Sequence, residues 1–142
     1  MPKVTMSTPV AMNADALWQA IGSFAAIGDW HPMFERVEAQ GENKGSMRTI
    51  QLIGGAKIVE RLEEISPTER LYRYSITESP LPISNYVSEI RVKDNGDGSS
   101  TVEWSSDFAV NSSNESDVVK TIQEVYQAGL DNLSRLYGFK RG

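Results

Sequence analysis

Two charged side chains stand on strand faces that are otherwise apolar, and they are the first candidates for chemistry. Arg48 shares its face with Ile50. On the next strand, Glu60 lies between Ile58 and Leu62, so both charges are predicted to point inward. A buried carboxylate can act as a general base, while a guanidinium can bind an acidic or carbonyl oxygen or stabilise an enolate. The two charges could equally form a structural pair, because buried charges are tolerated mainly when they are paired.

Polar aromatic residues continue the predicted inner faces of the later strands. Tyr74 precedes Ile76 at alternating spacing. Tyr86 precedes Ser88 in the same way on another strand, and Trp104 lies on the inner face of the last one. An apolar surface with a few embedded polar groups is the usual lining of a small-molecule pocket. Tyrosine stripes also occur in ordinary protein cores, and Trp104 has the same alternative.

The single histidine, His31, stands in the segment Trp30-His31-Pro32. Its imidazole could be a hydrogen-bonding group or general acid at the mouth of a pocket, or it could be solvated on the surface. No Ser-His-Asp arrangement, nucleophile elbow, P-loop or dinucleotide fingerprint is present. With no cysteine and one histidine, the chain lacks the ligands of most zinc sites, so we predict no metal and no cofactor.

Composition narrows the class of protein. The chain has 142 residues, 39% hydrophobic and 23% charged, which predicts one globular ligand-binding domain over residues 1–142. Its net charge of -5 argues against nucleic acid or an anionic membrane as a partner, since both need a basic surface. The N-terminus lacks the apolar run of a signal peptide, and no stretch reaches the ~20 apolar residues of a membrane span. We therefore predict a cytoplasmic protein that does not insert into membranes.

Hydrophobic periodicity predicts one strand, two short helices, six more strands and a long helix, in that order. The predicted segments are 4–10, 14–21, 24–30, 37–40, 46–53, 57–65, 70–77, 85–92, 101–110 and 115–136. Asn13 is the expected cap of the first helix, and Ser113 or Asn114 that of the last. Asn95-Gly96-Asp97-Gly98 is a strong hairpin signal before the last strand.

Seven antiparallel strands with one long helix make an α+β arrangement, because the apolar stripe of the helix must be buried against the sheet. A twisted sheet can curl round such a helix and enclose a cavity. Gly129 lies within the apolar stripe, and its missing side chain is predicted to leave room there. The residues predicted to form apolar walls are Trp30, Ile58, Ile76, Trp104 and Val125.

The turn at Gly54–Gly55 decides which face of the following strand points inward. A three-residue turn through Ala56 places Glu60 opposite Ile50 and agrees with the hydrophobic pattern. A two-residue turn would instead bring Lys57 and its alternating neighbours inside. We prefer the longer turn.

Several short segments, taken in order, have the spacing of a known family. They are Leu17-Trp18-Gln19-Ala20-Ile21, Phe24, Trp30-His31-Pro32, Gly45-Ser46-Met47-Arg48, Glu60-Arg61-Leu62, Tyr86 and Trp104. With them the chain resembles, over residues 3–137, the polyketide cyclase/dehydrase-like branch of the START/Bet v-type superfamily, SRPBCC. The resemblance implies a helix-grip fold, in which a curved seven-stranded sheet grips a C-terminal helix over a cavity for a small apolar ligand.

A more distant similarity is to the plant abscisic acid receptors of the same superfamily. Their gate, a Gly-rich loop before a Glu-Arg-Leu strand, is matched by Gly54, Gly55 and Ala56 before Glu60. Their latch, before an Asn-Tyr pair, is matched by Pro80-Leu81-Pro82. The resemblance implies that both loops rim the cavity mouth. The receptors' gate proline and latch His-Arg-Leu are absent, so hormone recognition is not carried over.

Two hypotheses of function follow from the resemblance. In the first, the chain binds a lipid, isoprenoid or aromatic polyketide-like molecule, with Arg48 at an acidic or carbonyl oxygen. Glu60, Tyr74 and Tyr86 would then orient the ligand. In the second, the same cavity serves a cyclase, aromatase or dehydratase. Glu60 would be its base, Arg48 or Tyr86 would stabilise an enolate, and His31 would be the acid at the mouth.

A third hypothesis is an interaction module, whose gate and latch close on a ligand and so create a protein-binding surface. Apolar residues expected on the rim (Met33, Phe34 and Leu81) would allow a weak homodimer instead of a monomer.

Overall fold

The computed structural model describes residues 2–138 and contains every strand and helix that the periodicity predicts. The strands are β1 (Lys3–Val10), β2 (Phe34–Ala39), β3 (Met47–Leu52), β4 (Lys57–Ser66), β5 (Leu71–Glu78), β6 (Ile83–Asp94) and β7 (Ser100–Val110). The helices are α1 (Ala14–Ile21), α2 (Ile27–Trp30) and α3 (Glu115–Tyr137), and a 3₁₀ turn (Phe24–Ala26) directly precedes α2. Within the described range, no helix is long and apolar enough to cross a membrane.

All seven strands form one antiparallel sheet in the order β1-β7-β6-β5-β4-β3-β2. Strands β2 to β7 follow one another as successive hairpins, whereas β1 joins the far edge and pairs with β7, placing Lys3 opposite Asp107. Helix α3 packs against β1 and β7 and buries its apolar stripe. The predicted α+β helix-grip fold is therefore confirmed.

The inner face of the sheet carries the side chains that alternation places there. Arg48 on β3 lies directly opposite Glu60 on β4. On β5, β6 and β7 the buried, inward-pointing residues are Tyr72, Tyr74, Tyr86, Ser88, Ile90, Val92, Val102, Trp104, Ser106 and Phe108. Lys57 is exposed, so the two-residue alternative for the β3–β4 turn is excluded.

The three-residue β3–β4 turn correctly predicts which side chains of β4 point inward, but the predicted pairing between β3 and β4 is wrong. Ile50 lies opposite Ile58 instead of Glu60, a shift of two residues. The cause is that the turn closes early, with the amide of Leu52 donating to the carbonyl oxygen of Ala56 at 2.8 Å. Both glycines of the turn have positive φ, which glycine adopts at low cost.

Two strands begin two or three residues earlier than the pattern predicts. β2 begins at Phe34, which pairs with Leu52 before a bulge. β6 begins at Ile83, and a second bulge lies between Ser84 and Val87. A bulge interrupts the alternation of side chains, so the residues on its far side no longer fit the pattern that predicts the strand. Phe34 is consequently buried, and the prediction that it is exposed on the rim is wrong.

The helix caps agree with prediction in part. The side chain of Asn13 accepts a hydrogen bond from the amide of Ala16 at 2.8 Å and so caps α1. Asn114 precedes α3, but its side chain makes no capping hydrogen bond. Glu115 and Asp117 lie in the first turn of α3, where the helix dipole favours negative charge.

Candidate functional site

A small cavity lies between the sheet, α3 and the segment that joins β5 to β6. Its volume is about 50 Å³. The residues that line it are Phe34, Ile58, Glu60, Tyr74, Ile76, Ser79, Leu81, Ile83, Tyr86, Trp104, Ile122, Val125 and Tyr126. One water molecule needs roughly 10–15 Å³ of such space. In this closed form the cavity therefore has room for a few waters and for no larger molecule.

Most of the predicted binding residues line the cavity, and so does Leu81 of the predicted latch. The predicted binding residues that do not line it are Trp30, Arg48, Ser88 and Gly129, all of which are buried. The loop residues that do not line it are Gly54, Gly55, Ala56, Pro80 and Pro82, all of which are exposed. Of the two predicted loops, the β5–β6 segment thus contributes Leu81 to the cavity wall, whereas the β3–β4 turn contributes no described residue.

The wall also contains residues that were not predicted to line it, namely Phe34, Ser79, Ile83, Ile122 and Tyr126. The available signal for Tyr126 was a phenol within the apolar stripe of α3, one helical turn after Ile122. Phe34 and Ile83 belong to the strand ends that the two bulges hide.

Arg48 and Glu60 form a buried ion pair. Nε of Arg48 donates to Oε1 of Glu60 at 2.7 Å, and Nη2 lies 2.7 Å from the same oxygen without hydrogen-bonding geometry. Nη1 donates to the carbonyl oxygen of Phe24 at 2.6 Å and to the hydroxyl of Tyr72 at 3.3 Å. The pair thus ties β3 and β4 to the 3₁₀ turn that precedes α2.

The guanidinium of Arg48 is enclosed by aromatic rings. Its Cζ lies 4.1 Å from the ring centroid of Phe24 and 4.7 Å from that of Tyr74, within the range of cation–π interactions. The side chain is fully buried and does not line the cavity. In this geometry the hydrogen bonds of Arg48 go to protein groups and the side chain does not reach the cavity, so its contact with a ligand oxygen stays a prediction.

Glu60 has one carboxylate oxygen free. Oε1 is bound to Arg48, and within residues 2–138 no hydrogen bond reaches Oε2, although the residue lines the cavity. Burial raises the pKa of Glu60, and the charge and hydrogen bond of Arg48 act in the opposite direction. A free carboxylate oxygen in apolar surroundings can accept a hydrogen bond from a ligand or remove an acidic proton from it.

A polar cluster crosses from the sheet to α3 at the cavity wall, and its members are Tyr74, Tyr86, Ser88, Trp104 and Tyr126. Nε1 of Trp104 donates to the hydroxyls of Tyr74 and Ser88, both at 3.0 Å. The Ser88 hydroxyl donates to the carbonyl oxygen of Ser105 at 2.9 Å and is 3.0 Å from the Tyr126 hydroxyl. The hydroxyls of Tyr126 and Tyr86 are hydrogen-bonded, and Tyr126 stacks on Trp104 with centroids 4.1 Å apart.

Burial raises the pKa of every phenol in the polar cluster. The pKa of Tyr126 rises to about 12, and those of Tyr74 and Tyr86 rise well above the ordinary value. All three phenols are therefore protonated near neutral pH and can donate hydrogen bonds.

His31 lies inside the protein, so the predictions of a solvated ring or an acid at the cavity mouth are wrong. Its Nε2 is 2.7 Å from the carbonyl oxygen of Val125 on α3, and its Nδ1 accepts from the amide of Met33 at 3.2 Å. A carbonyl only accepts, so Nε2 carries the proton and the ring is neutral. Burial lowers the pKa of His31 to about 4, against the effect of the Val125 hydrogen bond. The ring also stacks on Phe34 of the cavity wall, with centroids 3.9 Å apart.

Gly129 does not enlarge the cavity, contrary to prediction, because the rings of Trp30 and His31 fill the space beside it. A Cβ added there would lie 2.7 Å from Cδ2 of His31 and 2.9 Å from Cζ3 of Trp30. Such distances are shorter than any ordinary contact in a close-packed interior. Glycine thus allows His31 to reach the carbonyl oxygen of Val125 on the helix.

We expect Gly129→Ala to lower the free energy of unfolding by about 1–3 kcal/mol, because the new methyl group overpacks the two rings. Helix propensity alone predicts the opposite sign, a gain of about 1 kcal/mol. Urea denaturation measures the difference. The pair Gln123→Gly and Gln123→Ala, at an exposed position of α3, gives the propensity effect alone. A stabilised Gly129→Ala protein would contradict the close approach of the rings.

Comparison with known proteins places the chain in a family. A family model described as "Polyketide cyclase / dehydrase and lipid transport" matches residues 1–138. The solved structure of XoxI from Bacillus cereus is 30% identical, with a TM-score of 0.90 over 96% of each chain. No curated protein sequence matches the chain significantly.

Two enzymes share the fold at lower identity. The Zhui aromatase/cyclase from Streptomyces sp. R1128 has a TM-score of 0.78 at 17% identity, over 93% of this chain and 90% of that one. Norcoclaurine synthase from Thalictrum flavum, in complex with dopamine and hydroxybenzaldehyde, has a TM-score of 0.70 at 21% identity, over 95% of this chain and 85% of that one. These two likenesses concern the fold alone. With the match over residues 1–138, the chain belongs to the polyketide cyclase/dehydrase and lipid transport family.

Proposed function

We propose that the chain acts as a single ligand-binding domain, which holds a small, largely apolar molecule between the sheet and α3. The ligand class is that of a lipid, isoprenoid or aromatic polyketide-like compound. The observation that carries the proposal is the free Oε2 of Glu60, which is a hydrogen-bonding group in an otherwise mostly apolar enclosure. Ligand pockets generally combine an apolar wall with a few polar groups of this kind.

Binding requires the cavity to expand. Ligand pockets usually measure roughly 300–1,000 Å³, whereas this cavity measures about 50 Å³. The segment between β5 and β6 is the part of the wall best suited to move. Pro80 and Pro82 in it are exposed, and Leu81 reaches into the cavity between them. We expect displacement of Leu81 to open the cavity to a ligand.

The second candidate function is that of a cyclase, aromatase or dehydratase using the same cavity. Burial raises the pKa of Glu60, which favours its use as a general base. Tyr74 lines the cavity and would stabilise a developing enolate oxygen. Arg48 and His31 cannot take this role from their buried positions, and the hydroxyl of Tyr86 is hydrogen-bonded to Tyr126. The Thalictrum flavum enzyme was solved with two aromatic molecules, which supports aromatic compounds as candidate substrates.

A thermal-shift screen tests the binding proposal. The purified protein is heated with sterols, isoprenoids, flavonoids, fatty acids and aromatic polyketides. A ligand at a hundred times its dissociation constant adds about 2.7 kcal/mol to the free energy of unfolding, which raises Tm by several degrees in a domain of this size. Ile76→Phe, which fills the cavity from β5, is the control and should abolish the shift. A shift that survives in Ile76→Phe would place the ligand elsewhere, and a flat screen would argue against binding.

Turnover separates the two candidate functions. For any compound that binds, we expect an enzyme to lose about 10²–10⁴-fold in kcat in Glu60→Gln while its affinity is retained. A binding protein shows no turnover with either form.

A further inference from the structure

The directions of the hydrogen bonds in the polar cluster can be assigned. Ser88 has one hydroxyl hydrogen, and the carbonyl oxygen of Ser105 can only accept, so that hydrogen points to Ser105. The contact between Ser88 and Tyr126 is then donated by Tyr126. The hydrogen bond between Tyr126 and Tyr86 must be donated by Tyr86, because the Tyr126 hydrogen is already used. The chain therefore runs from Tyr86 through Tyr126 to Ser88.

Tyr74 does not add a free donor to the cavity. Trp104 has a single N–H, which the hydroxyl oxygens of Tyr74 and Ser88 share at 3.0 Å. Ser88 therefore keeps acceptor capacity for the hydrogen of Tyr74, with which it forms a side-chain hydrogen bond. Among the described lining residues, Oε2 of Glu60 is a charged acceptor to which no hydrogen bond is made.

No positive charge faces the cavity from the described residues. Glu60 is the charged residue of the lining. Arg48 neutralises it from the far side, with its donors directed at Glu60, Phe24 and Tyr72. A ligand anion would therefore enter an apolar space with no cation to pair with. Burying an unpaired charge is strongly unfavourable.

We infer that the ligand is an uncharged hydroxyl compound, such as a phenol, an enol or an alcohol, and that carboxylates are excluded. Its hydroxyl group donates to Oε2 of Glu60. This inference rests on the proposed function, because it specifies the ligand of the same cavity. It separates hydroxylated aromatic and isoprenoid compounds from fatty acids, which carry a carboxylate at neutral pH.

Three probes of similar size test the inference on the unmodified protein near neutral pH. 2-Naphthol carries a hydroxyl donor, 2-methoxynaphthalene has the oxygen without the donor, and 2-naphthoate is an anion. We expect 2-naphthol to bind about 10–100-fold more tightly than 2-methoxynaphthalene, the range for a hydrogen bond to a charged group. 2-Naphthoate should bind most weakly. Calorimetric titration gives the three dissociation constants, and Ile76→Phe is the control for binding in the cavity.

Glu60→Gln should weaken the preference for 2-naphthol over 2-naphthoate. The substitution removes the carboxylate and leaves the charge of Arg48 without its partner. 2-Naphthoate should then gain at least about tenfold relative to 2-naphthol. Circular dichroism first establishes that the variant is folded. If it does not fold, the comparison of probes on the unmodified protein decides the matter alone.

The outcomes separate the inference from the proposed function. If no probe binds, or if all three bind Ile76→Phe as tightly as the unmodified protein, the cavity is not the binding site. The proposed function and the inference then both fail. If the three probes bind the cavity with equal affinity, or 2-naphthoate binds best, the cavity is a binding site but the inference is overturned. Preference for 2-naphthol, lost in Ile76→Phe, supports both.

Discussion

Replacing Arg48 by alanine is expected to lower the free energy of unfolding by about 3–5 kcal/mol, the usual cost of leaving a buried charge without its partner. Glu60 would lose both contacts at 2.7 Å while remaining inside the protein. The carbonyl oxygen of Phe24 would also lose its donor. The effect is therefore on stability, because Arg48 itself does not line the cavity.

Urea denaturation of Arg48→Ala tests this expectation, with Arg70→Ala as the control. Arg70 pairs with Asp15 at 2.8 Å, but the two side chains are 25% and 80% exposed, so its loss should cost no more than about 1 kcal/mol. The double variant Arg48→Met with Glu60→Leu should recover most of the loss, since apolar groups can replace a buried pair. An Arg48→Ala protein of unchanged stability but weakened ligand affinity would contradict the structural role.

Acid is expected to destabilise the protein through His31. The pKa of this residue is 6.5 when unperturbed and about 4 in the folded protein. Between these values the unfolded chain binds a proton that the folded protein does not, so stability falls as the pH is lowered. The loss begins near pH 6.5, is complete near pH 4 and amounts to about 3 kcal/mol, at 1.36 kcal/mol for each pKa unit.

Denaturation at several pH values, in the original protein and in His31→Gln, measures this contribution. Glutamine keeps a donor for the carbonyl oxygen of Val125 and does not titrate, so the difference between the two curves isolates His31. Glu60, whose pKa burial raises, changes stability in the opposite direction in both proteins and cancels. Because the chain has one histidine, its NMR signal reports the pKa directly. A value near 6.5 would contradict the buried geometry.

Alternation of side chains was sufficient to predict the inner face of the sheet. It placed Arg48 and Glu60 inside together, and the structure sets them opposite each other. It could not predict that the hydrogen bonds of Arg48 all go to protein groups. One of them goes to the carbonyl oxygen of Phe24, which arrives from a turn 24 residues away in the sequence. The choice between a ligand contact and a structural pair depends on that tertiary contact.

The size of the cavity was beyond prediction for a similar reason. Gly129 suggests empty space when α3 is considered alone. The space is occupied by Trp30 and His31, which come from the other end of the chain. Packing between elements distant in sequence decides whether a missing side chain leaves a void or admits a neighbour. Tyr126 likewise has the pattern of a core residue, whereas in the structure it lines the cavity and its hydroxyl contacts Tyr86 and Ser88.

The pairing of β1 with β7 has a consequence for the order in which the molecule assembles. Strands β2 to β7 can pair one after another as they leave the ribosome. Strand β1 can pair only after β7 has been synthesised, because Lys3 lies opposite Asp107. Helix α3 comes later still, and it supplies Ile122, Val125 and Tyr126. Until it docks, the inner face of the sheet is uncovered and open to aggregation. The cavity is thus formed in the last step, and any molecule held there adds its binding free energy to the docking of the helix and not to formation of the sheet.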